Sequence, residues 1–330
     1  MVRPEEIRRL SVAALRILVV AGVYYAAGVL GLRLQVDFEG AVVTPLWPPT
    51  GIALCALLYL GIGIWPGIAL GVLLVVVTIS SIRVADLGII GGNTLAPLCS
   101  YLMLRRVGFR TELNRLRDGV ALVFLGALGG MLISSTIGTW VLVFSGRLQL
   151  GGFWSVWSAW WTGDAMGVLV VTPVLLVLPR VRLPRRDTYR WAARWAEAAA
   201  LVLMAGVLTP VATRTPLSLL FLVFPLLVWA ALRFQLAGSA PCTLLVSVLA
   251  IDAATDRIGP FAHHNLIEVM VTLQLLNGSA ALTGLLLGAI VTEQRNIRKK
   301  IEQVCMDLAD VVDHLAPGKS ANQWPPDQGR

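Results

Sequence analysis

Charged residues are scarce in this sequence: Asp, Glu, Lys and Arg together make up 14% of its 330 residues, while hydrophobic residues make up 57%. A soluble globular domain carries roughly a quarter charged residues. So much apolar surface cannot be hidden in a single aqueous core. The composition therefore excludes an ordinary soluble domain and predicts an integral membrane protein that has the lipid bilayer as its solvent.

Signatures of catalysis are also missing from the sequence. It contains no nucleophile elbow, phosphate-binding loop, kinase motif or paired-histidine metalloprotease helix. The four cysteines have no metal-ligand spacing and predict no disulfide framework. His263 and His264 are adjacent in a loop, where neighbouring side chains point in different directions and seldom share a metal. We therefore expect no enzyme, no metal site and no cofactor.

Ten apolar runs approach the length of a membrane-spanning helix, which requires about 20 mainly apolar residues. Only helices and closed barrels satisfy their own backbone in lipid, so these continuous runs predict an all-α, polytopic membrane protein. The predicted spans are 12–32, 47–63, 65–82, 85–104, 119–145, 153–178, 196–213, 217–232, 236–253 and 270–292. The second and eighth are short, so eight spans is the alternative count.

Positive charge alternates along the gaps between these runs. Dense clusters fill the gaps at 105–117 and 180–194 and the segment 295–300, whereas other gaps hold a single arginine, such as Arg83 or Arg147. Cytoplasmic loops retain Lys and Arg because moving positive charge against the membrane potential is unfavourable. The pattern predicts two cytoplasmic termini and a bacterial plasma membrane location. It also explains the net charge of +8 without a nucleic-acid partner.

The segment after the last run carries a seven-residue apolar pattern. Its members are Ile297, Ile301, Val304, Leu308, Val311 and Leu315. No proline interrupts residues 270–316, so the last span is expected to leave the membrane as one helix. We divide the chain into a membrane domain at 1–292, a cytoplasmic helix at 293–316 and a disordered tail at 317–330. The pattern favours a homodimer through this helix; an amphipathic helix on its own protein or on lipid is the alternative.

The second run begins with Trp47, Pro48, Pro49, Thr50 and Gly51. Two prolines remove two backbone donors and leave carbonyls free, which a membrane tolerates only where protein or water covers them. This favours a cavity near the start of the run. The alternative is an ordinary helix start, because proline suits the first turn and tryptophan suits the membrane interface.

Asp164 is an acid inside the sixth apolar run. Counted from Phe153 at 1.5 Å per residue, it lies about 16 Å deep, near the midplane. An acid there is costly and marks a ligand site, a structural pin or a proton-coupling group. Trp154, Trp157 and Trp161 share one helix face, and Asp164 follows Trp161 on that face. An acid below an aromatic wall can bind a cationic or a polyhydroxylated ligand.

Polar residues of two other runs can contribute to the same chamber. Asn93 and Thr94 lie in the fourth run, and Ser134 and Ser135 lie at mid-depth in the fifth. Ordinary interhelical hydrogen bonds are the alternative explanation, and both remain open. The hypothetical ligand-binding set is Trp47, Pro48, Pro49, Thr50, Asn93, Trp157, Trp161 and Asp164.

The ordered motifs of these runs resemble the type-one membrane-associated sensor domain of bacteria. The motifs include Trp47-Pro48-Pro49-Thr50-Gly51, Trp65-Pro66-Gly67, Gly92-Asn93-Thr94-Leu95, Leu116-Arg117-Asp118, Gly163-Asp164-Ala165-Met166-Gly167, Thr172-Pro173, Gly259-Pro260-Phe261 and Glu293-Gln294-Arg295. The resemblance covers residues 12–300. It implies a sensor, in a family whose members usually carry a fused histidine kinase, diguanylate cyclase or phosphatase. The family often has a glutamate where this sequence has Ala96.

We therefore expect an integral membrane sensor of an extracytoplasmic or membrane-borne signal. The sequence contains no output module of that kind. The signal is expected to pass through the last helix to a cytoplasmic output protein, unless the chain is the sensor half of a larger assembly. A small-molecule transporter or channel is one alternative. A scaffold that recruits a cytoplasmic signalling protein without any ligand is another.

Overall fold

The computed structural model of the chain consists almost entirely of helices. It describes residues 4–33, 36–38, 41–79, 81, 83–180, 188–215, 219–256, 258–262 and 266–315. The predicted disordered tail at 317–330 and the pair His263 and His264 lie outside the described residues.

Thirteen α-helices follow one another along the described residues. They are α1 Pro4–Leu32, α2 Pro48–Leu60, α3 Trp65–Ile79, α4 Asp86–Arg106, α5 Leu116–Ala121, α6 Gly130–Phe144, α7 Phe153–Met166, α8 Thr172–Val177, α9 Thr188–Arg214, α10 Val223–Phe234, α11 Leu236–Thr255, α12 Leu266–Leu282 and α13 Gly288–Leu315. Three π-helical segments join consecutive helices: Leu122–Gly129, Gly167–Val171 and Thr283–Leu287. Short 3-10 turns lie at Ile62–Ile64, Leu150–Gly152, Leu178–Arg180, Leu220–Leu222 and Gly259–Phe261.

Eight helical stretches among the described residues are long and apolar enough to cross a membrane. They coincide with eight of the ten predicted spans, so the prediction of a polytopic helical membrane protein is confirmed. The other two, Pro48–Leu60 and Leu220–Phe234, are separate apolar helices of only 10–17 residues. They are the two spans that the sequence marked as short. Each is bounded by a short 3-10 turn, which separates it from a neighbouring span.

One short hairpin departs from the all-helical prediction. Strands β1 Val36–Phe38 and β2 Ala41–Val43 pair antiparallel, with Val36 opposite Val43. The hairpin occupies the gap between the first two predicted spans. It was not predicted, because three-residue strands are too short to produce a readable alternation of apolar and polar residues.

Buried hydroxyl groups serve the wider turns of the π-helical segments. Ser100 Oγ donates to Gly126 O at 2.9 Å, and Ser239 Oγ donates to Gly284 O at 2.7 Å. A π turn disturbs the regular backbone pairing, and in lipid the freed carbonyls need another donor. These serines therefore stabilise irregular backbone inside the membrane.

Two ion pairs each connect regions of the chain that were predicted to lie on the same side of the membrane. Arg147 of one arginine-poor gap binds Asp86, which begins α4 directly after another arginine-poor gap. Arg180 binds Glu112, and both belong to arginine-rich gaps. An alternating path across a membrane requires this arrangement. The assignment of the arginine-rich end to the cytoplasm stays a prediction.

The last span and the helix predicted to be cytoplasmic form one continuous rod. Helix α12, the segment Thr283–Leu287 and helix α13 follow one another without a break across residues 266–315. From Gln294 to Val311 every residue of α13 is exposed. The seam residues Ile297, Ile301, Val304, Leu308 and Val311 are each between 52% and 58% exposed. The seam therefore has no packing partner within the part of the chain that the structure describes.

Candidate functional site

A cavity of about 260 Å³ lies between α1, α3, α4, α6 and α7. Aliphatic side chains of α3 form one wall: Val72, Val75, Val76 and Ile79. The polar and aromatic lining consists of Tyr24, Thr44, Trp47, Asp86, Asn93, Arg147, Trp160 and Asp164. The cavity thus combines a mainly apolar surface with a few polar groups, as small-molecule sites usually do.

Asp164 is one of two buried acids of this lining and is only 1% exposed. Ser134 Oγ of α6 donates a hydrogen bond to Asp164 Oδ2. The indole of Trp160, one helical turn earlier, is close enough to donate a second one. Among the described residues, no arginine, lysine or histidine forms an ion pair with this carboxyl. Asp164 is therefore held by neutral donors, and no described cationic side chain pairs with its carboxyl group.

Two glycines of the α7 region explain how Asp164 is positioned. A Cβ atom at Gly163 would collide with Thr44 O, and one at Gly167 would collide with Trp47 O. The missing side chains let residues 44–51 lie directly on the backbone around Asp164. Trp47 N donates to Gly163 O at 3.0 Å across this contact. The tryptophan-proline motif and the glycine-aspartate motif are thus two halves of one packing unit.

Thr50, which does not line the cavity, stabilises the contact between residues 44–51 and the backbone around Asp164. Its hydroxyl is placed to donate to Asp164 O at 3.0 Å and to Trp47 O at 2.8 Å. Trp47 O also accepts a backbone hydrogen bond from Thr50 N at 3.4 Å. The threonine hydroxyl therefore adds a side-chain donor at the point where the segment before α2 meets α7.

Of the eight predicted ligand-binding residues, the structure brings Trp47, Asn93 and Asp164 together in the lining of the cavity. Pro48 and Pro49 begin α2 and, like Thr50, do not line it. These three residues shape the segment that carries Trp47.

Trp157 and Trp161 lie elsewhere. Trp157 Nε1 donates to Thr136 Oγ1 at 3.0 Å, and Trp161 Nε1 donates to Leu128 O at 2.8 Å. Their rings stack on each other with centroids 5.7 Å apart, so this tryptophan stripe packs against the fifth predicted span. The tryptophan that faces the cavity is Trp160. On a helix, the residues three and four positions before Asp164, Trp161 and Trp160, both lie beside it. The sequence analysis predicted Trp161 as the neighbour in the site.

An ion pair that the sequence did not reveal forms another part of the lining. Arg147 Nη1 lies 2.7 Å from Asp86 Oδ1, and Nη2 lies 3.3 Å from Oδ2. Arg83 N also donates to Asp86 Oδ2 at 2.8 Å. The Asp86 side chain is 1% exposed and that of Arg147 is 24% exposed. In the sequence, Arg147 contributed only to the prediction of membrane orientation. Its pairing with Asp86 could not be predicted, because the two residues are 61 positions apart and no local pattern connects them.

The cavity is linked to the last span by one hydrogen bond. Gln274 Nε2 of α12 donates to Pro45 O at 3.3 Å. Pro45 lies between Thr44 and Trp47, which both line the cavity. The segment that carries Thr44 and Trp47 is therefore in direct contact with α12.

A model of the membrane-associated sensor domain 1 family (MASE1) matches residues 16–295 of the chain. The match includes every element that lines the cavity and ends where α13 leaves the last span. No curated protein and no solved structure matches the chain.

Proposed function

Because the chain belongs to the membrane-associated sensor domain 1 family, we propose that it senses a ligand in the cavity and relays the signal through its last helix. It is a multi-pass membrane protein, and membership of this family makes it a membrane sensor domain. The proposal adds where the signal binds and which part of the chain carries the response. The recipient would be a cytoplasmic output protein.

The observation that carries this proposal is the double role of residues 44–47. Thr44 and Trp47 line the cavity, and Pro45 O between them accepts the hydrogen bond from Gln274 of α12. A ligand that contacts Trp47 or Asp164 therefore acts on a segment that is already attached to the last span. The ligand shifts the equilibrium only by its difference in affinity between two positions of that segment.

The free energy of the hydrogen bond between Gln274 and Pro45 is in the range needed for allosteric coupling. An intramolecular hydrogen bond contributes about 0.5–1.5 kcal/mol net. Coupling between two sites of an allosteric protein is typically about 1–3 kcal/mol. Contacts between α12 and α7 add to it, since Val156 of α7 and Met270 of α12 belong to one buried hydrophobic cluster.

Two polar contacts hold α13 where it leaves the membrane domain. Glu293 Oε2 accepts a hydrogen bond from Leu116 N at the start of α5, at 2.9 Å. Arg295 Nη2 donates to Leu232 O in the last turn of α10, at 2.8 Å. An acid at a helix N-terminus and a base at a C-terminus both suit the helix dipoles. Beyond these contacts the apolar seam of α13 is free to meet a partner.

A distance measurement inside one chain tests the relay. We expect Asp164→Asn to shift the distance between spin labels at Arg106→Cys and Val304→Cys by about 1–2 Å, the scale of helix shifts in allosteric proteins. The measurement is pulsed electron paramagnetic resonance in lipid nanodiscs, with Cys99→Ala and Cys305→Ser in the background and dilution with unlabelled chain.

A double-mutant cycle makes this test specific. Gln274→Ala should remove most of the effect of Asp164→Asn, because it cuts the hydrogen bond to Pro45 O. Asp252→Asn is the matched control, since Asp252 is an exposed acid of α11 outside the cavity. An unchanged distance in Asp164→Asn would contradict the proposed relay.

A second prediction concerns the seam of α13 as a homodimer interface. In a Cys305→Ser background, Val304→Cys should form a disulfide-linked dimer when membranes are oxidised, because the seam position faces its counterpart in a parallel coiled coil. Gln303→Cys, one residue earlier and off the seam, should give little cross-linked dimer. Equal cross-linking at both positions, or none at Val304→Cys, would rule out the dimer.

A further inference from the structure

We propose that the ligand of the cavity is a small organic ammonium cation, held between the Asp164 carboxylate and the rings of Tyr24, Trp47 and Trp160. This inference rests on the proposed function and deepens it by giving the chemical class of the ligand. Charge, aromatic lining and wall polarity support it independently.

Charge gives the first argument. Two acids and one base line the cavity, and both carboxylate oxygens of Asp86 are bound by Arg147. Asp164 forms no ion pair with any described residue, so a cation is the group that the cavity lacks. A buried carboxylate needs a compensating positive charge or is strongly disfavoured. An anionic ligand would instead meet this acid and find the Arg147 guanidinium already occupied.

The aromatic lining gives the second argument. Tyr24, Trp47 and Trp160 come from α1, from the segment before α2 and from α7, and all three line the cavity together with Asp164. Aromatic side chains attract cations over their ring faces, more strongly when water is excluded, and cages of such rings bind quaternary ammonium groups. A divalent metal ion prefers several oxygen ligands. No cluster of three potential metal-binding side chains exists within the described residues.

Wall polarity decides against a polyhydroxylated ligand. Val72, Val75, Val76, Ile79 and Leu142 cover much of the remaining lining. Hydroxyl groups placed against these side chains would lose their water without gaining a hydrogen bond, which is unfavourable. Methyl, alkyl or aryl substituents on an ammonium nitrogen gain from the same surface. The cavity therefore fits a cation that is apolar apart from its charge.

A matched pair of probes tests the inference on the full chain in lipid nanodiscs. Choline carries a trimethylammonium group, and 3,3-dimethylbutan-1-ol replaces its charged nitrogen by carbon at nearly the same shape. We expect choline to bind at least about tenfold more tightly than the alcohol in isothermal titration calorimetry, as a desolvated cation–π site implies. Benzyltrimethylammonium should bind more tightly than choline, because it buries more apolar surface.

Variants identify the groups responsible. Asp164→Asn should weaken choline binding by about tenfold or more and weaken binding of the alcohol much less, because the charge attraction acts only on the cation. Trp160→Phe should retain most of the affinity, whereas Trp160→Leu should lose it through the missing ring face. Asp252→Asn, an exposed acid outside the cavity, should bind choline as the unmodified chain does. The Trp160 pair keeps the test valid if Asp164→Asn is unstable.

The outcomes separate the ligand class from the relay. Equal affinity for choline and the alcohol, or no binding of tetramethylammonium, choline or benzyltrimethylammonium, overturns the ammonium proposal. The spin-label distance in Asp164→Asn is measured without any ligand, so it reports on the relay alone. Tight, Asp164-dependent binding of choline with no change in that distance would support the ligand class and overturn the sensor mechanism.

Discussion

Replacing Gly167 by alanine is expected to destabilise the folded protein by about 3 kcal/mol or more, at the upper end of the overpacking range. The added Cβ would collide with Trp47 O and with the Thr50 hydroxyl. One of these obstacles is backbone, so it cannot move aside as the tip of a flexible side chain does. Residues 44–51 would be pushed off α7, and with them the hydrogen bonds that hold Asp164.

Thermal unfolding and size-exclusion chromatography of the purified protein in detergent would measure this effect. Gly206→Ala in α9 is the matched control, because a Cβ there meets no atom within 4 Å. An alanine at such an open helical position should be neutral or slightly stabilising. A Gly167→Ala protein that unfolds at the same temperature as the Gly206→Ala protein would show that the contact between residues 44–51 and α7 is looser than described.

Removing Arg147 alone is expected to cost about 3 kcal/mol, because it leaves the Asp86 carboxylate buried without its partner. Arg147→Gln is the single change, and Asp86 remains bonded only to Arg83 N. Combining it with Asp86→Asn removes both charges and should restore most of the lost stability. The buried charge, rather than the loss of the arginine itself, is the source of the cost.

The four proteins of this cycle form a complete test when their unfolding is compared under one set of conditions. We expect an interaction energy of at least about 1 kcal/mol between the two positions, within the range for residues in direct contact. Purely additive effects would mean that water reaches Asp86 freely. In that case Arg147 would not neutralise Asp86, and the charge argument for an ammonium ligand at Asp164 would be weakened.

Hydropathy was sufficient to locate the helices of this protein. A run such as 236–253 predicts its helix almost to the residue, since α11 covers Leu236–Thr255. The acid at position 164 was also recognisable, because an ionisable residue inside an apolar run is costly whatever its neighbours are. Both predictions depend only on how each segment of the chain interacts with lipid, and not on contacts between helices.

Which side of each helix faces the cavity is determined by contacts between residues that are far apart in the sequence, and local sequence patterns do not predict such contacts. Trp160 and Trp161 are equally good neighbours of Asp164 along a helix, and the packing of α7 against residues 44–51 and against Gly138 of α6 places Trp160 in the cavity lining. Arg147 and Asp86 meet because α4 and α6 are adjacent, which the sequence does not specify. The three π-helical segments are equally invisible, because they consist of ordinary apolar residues.

The wide turn at Thr283–Leu287 sets the direction in which the apolar seam of α13 faces. It lies after Gln274 and before Ile297, so it separates the attachment to Pro45 from the first residue of the seam. A turn with one residue more than an α-helical turn offsets everything beyond it by about 100° and about 1.5 Å relative to a regular helix. Converting this turn to a regular α-helical turn would rotate the seam by about 100°, more than a quarter of a revolution, relative to α12.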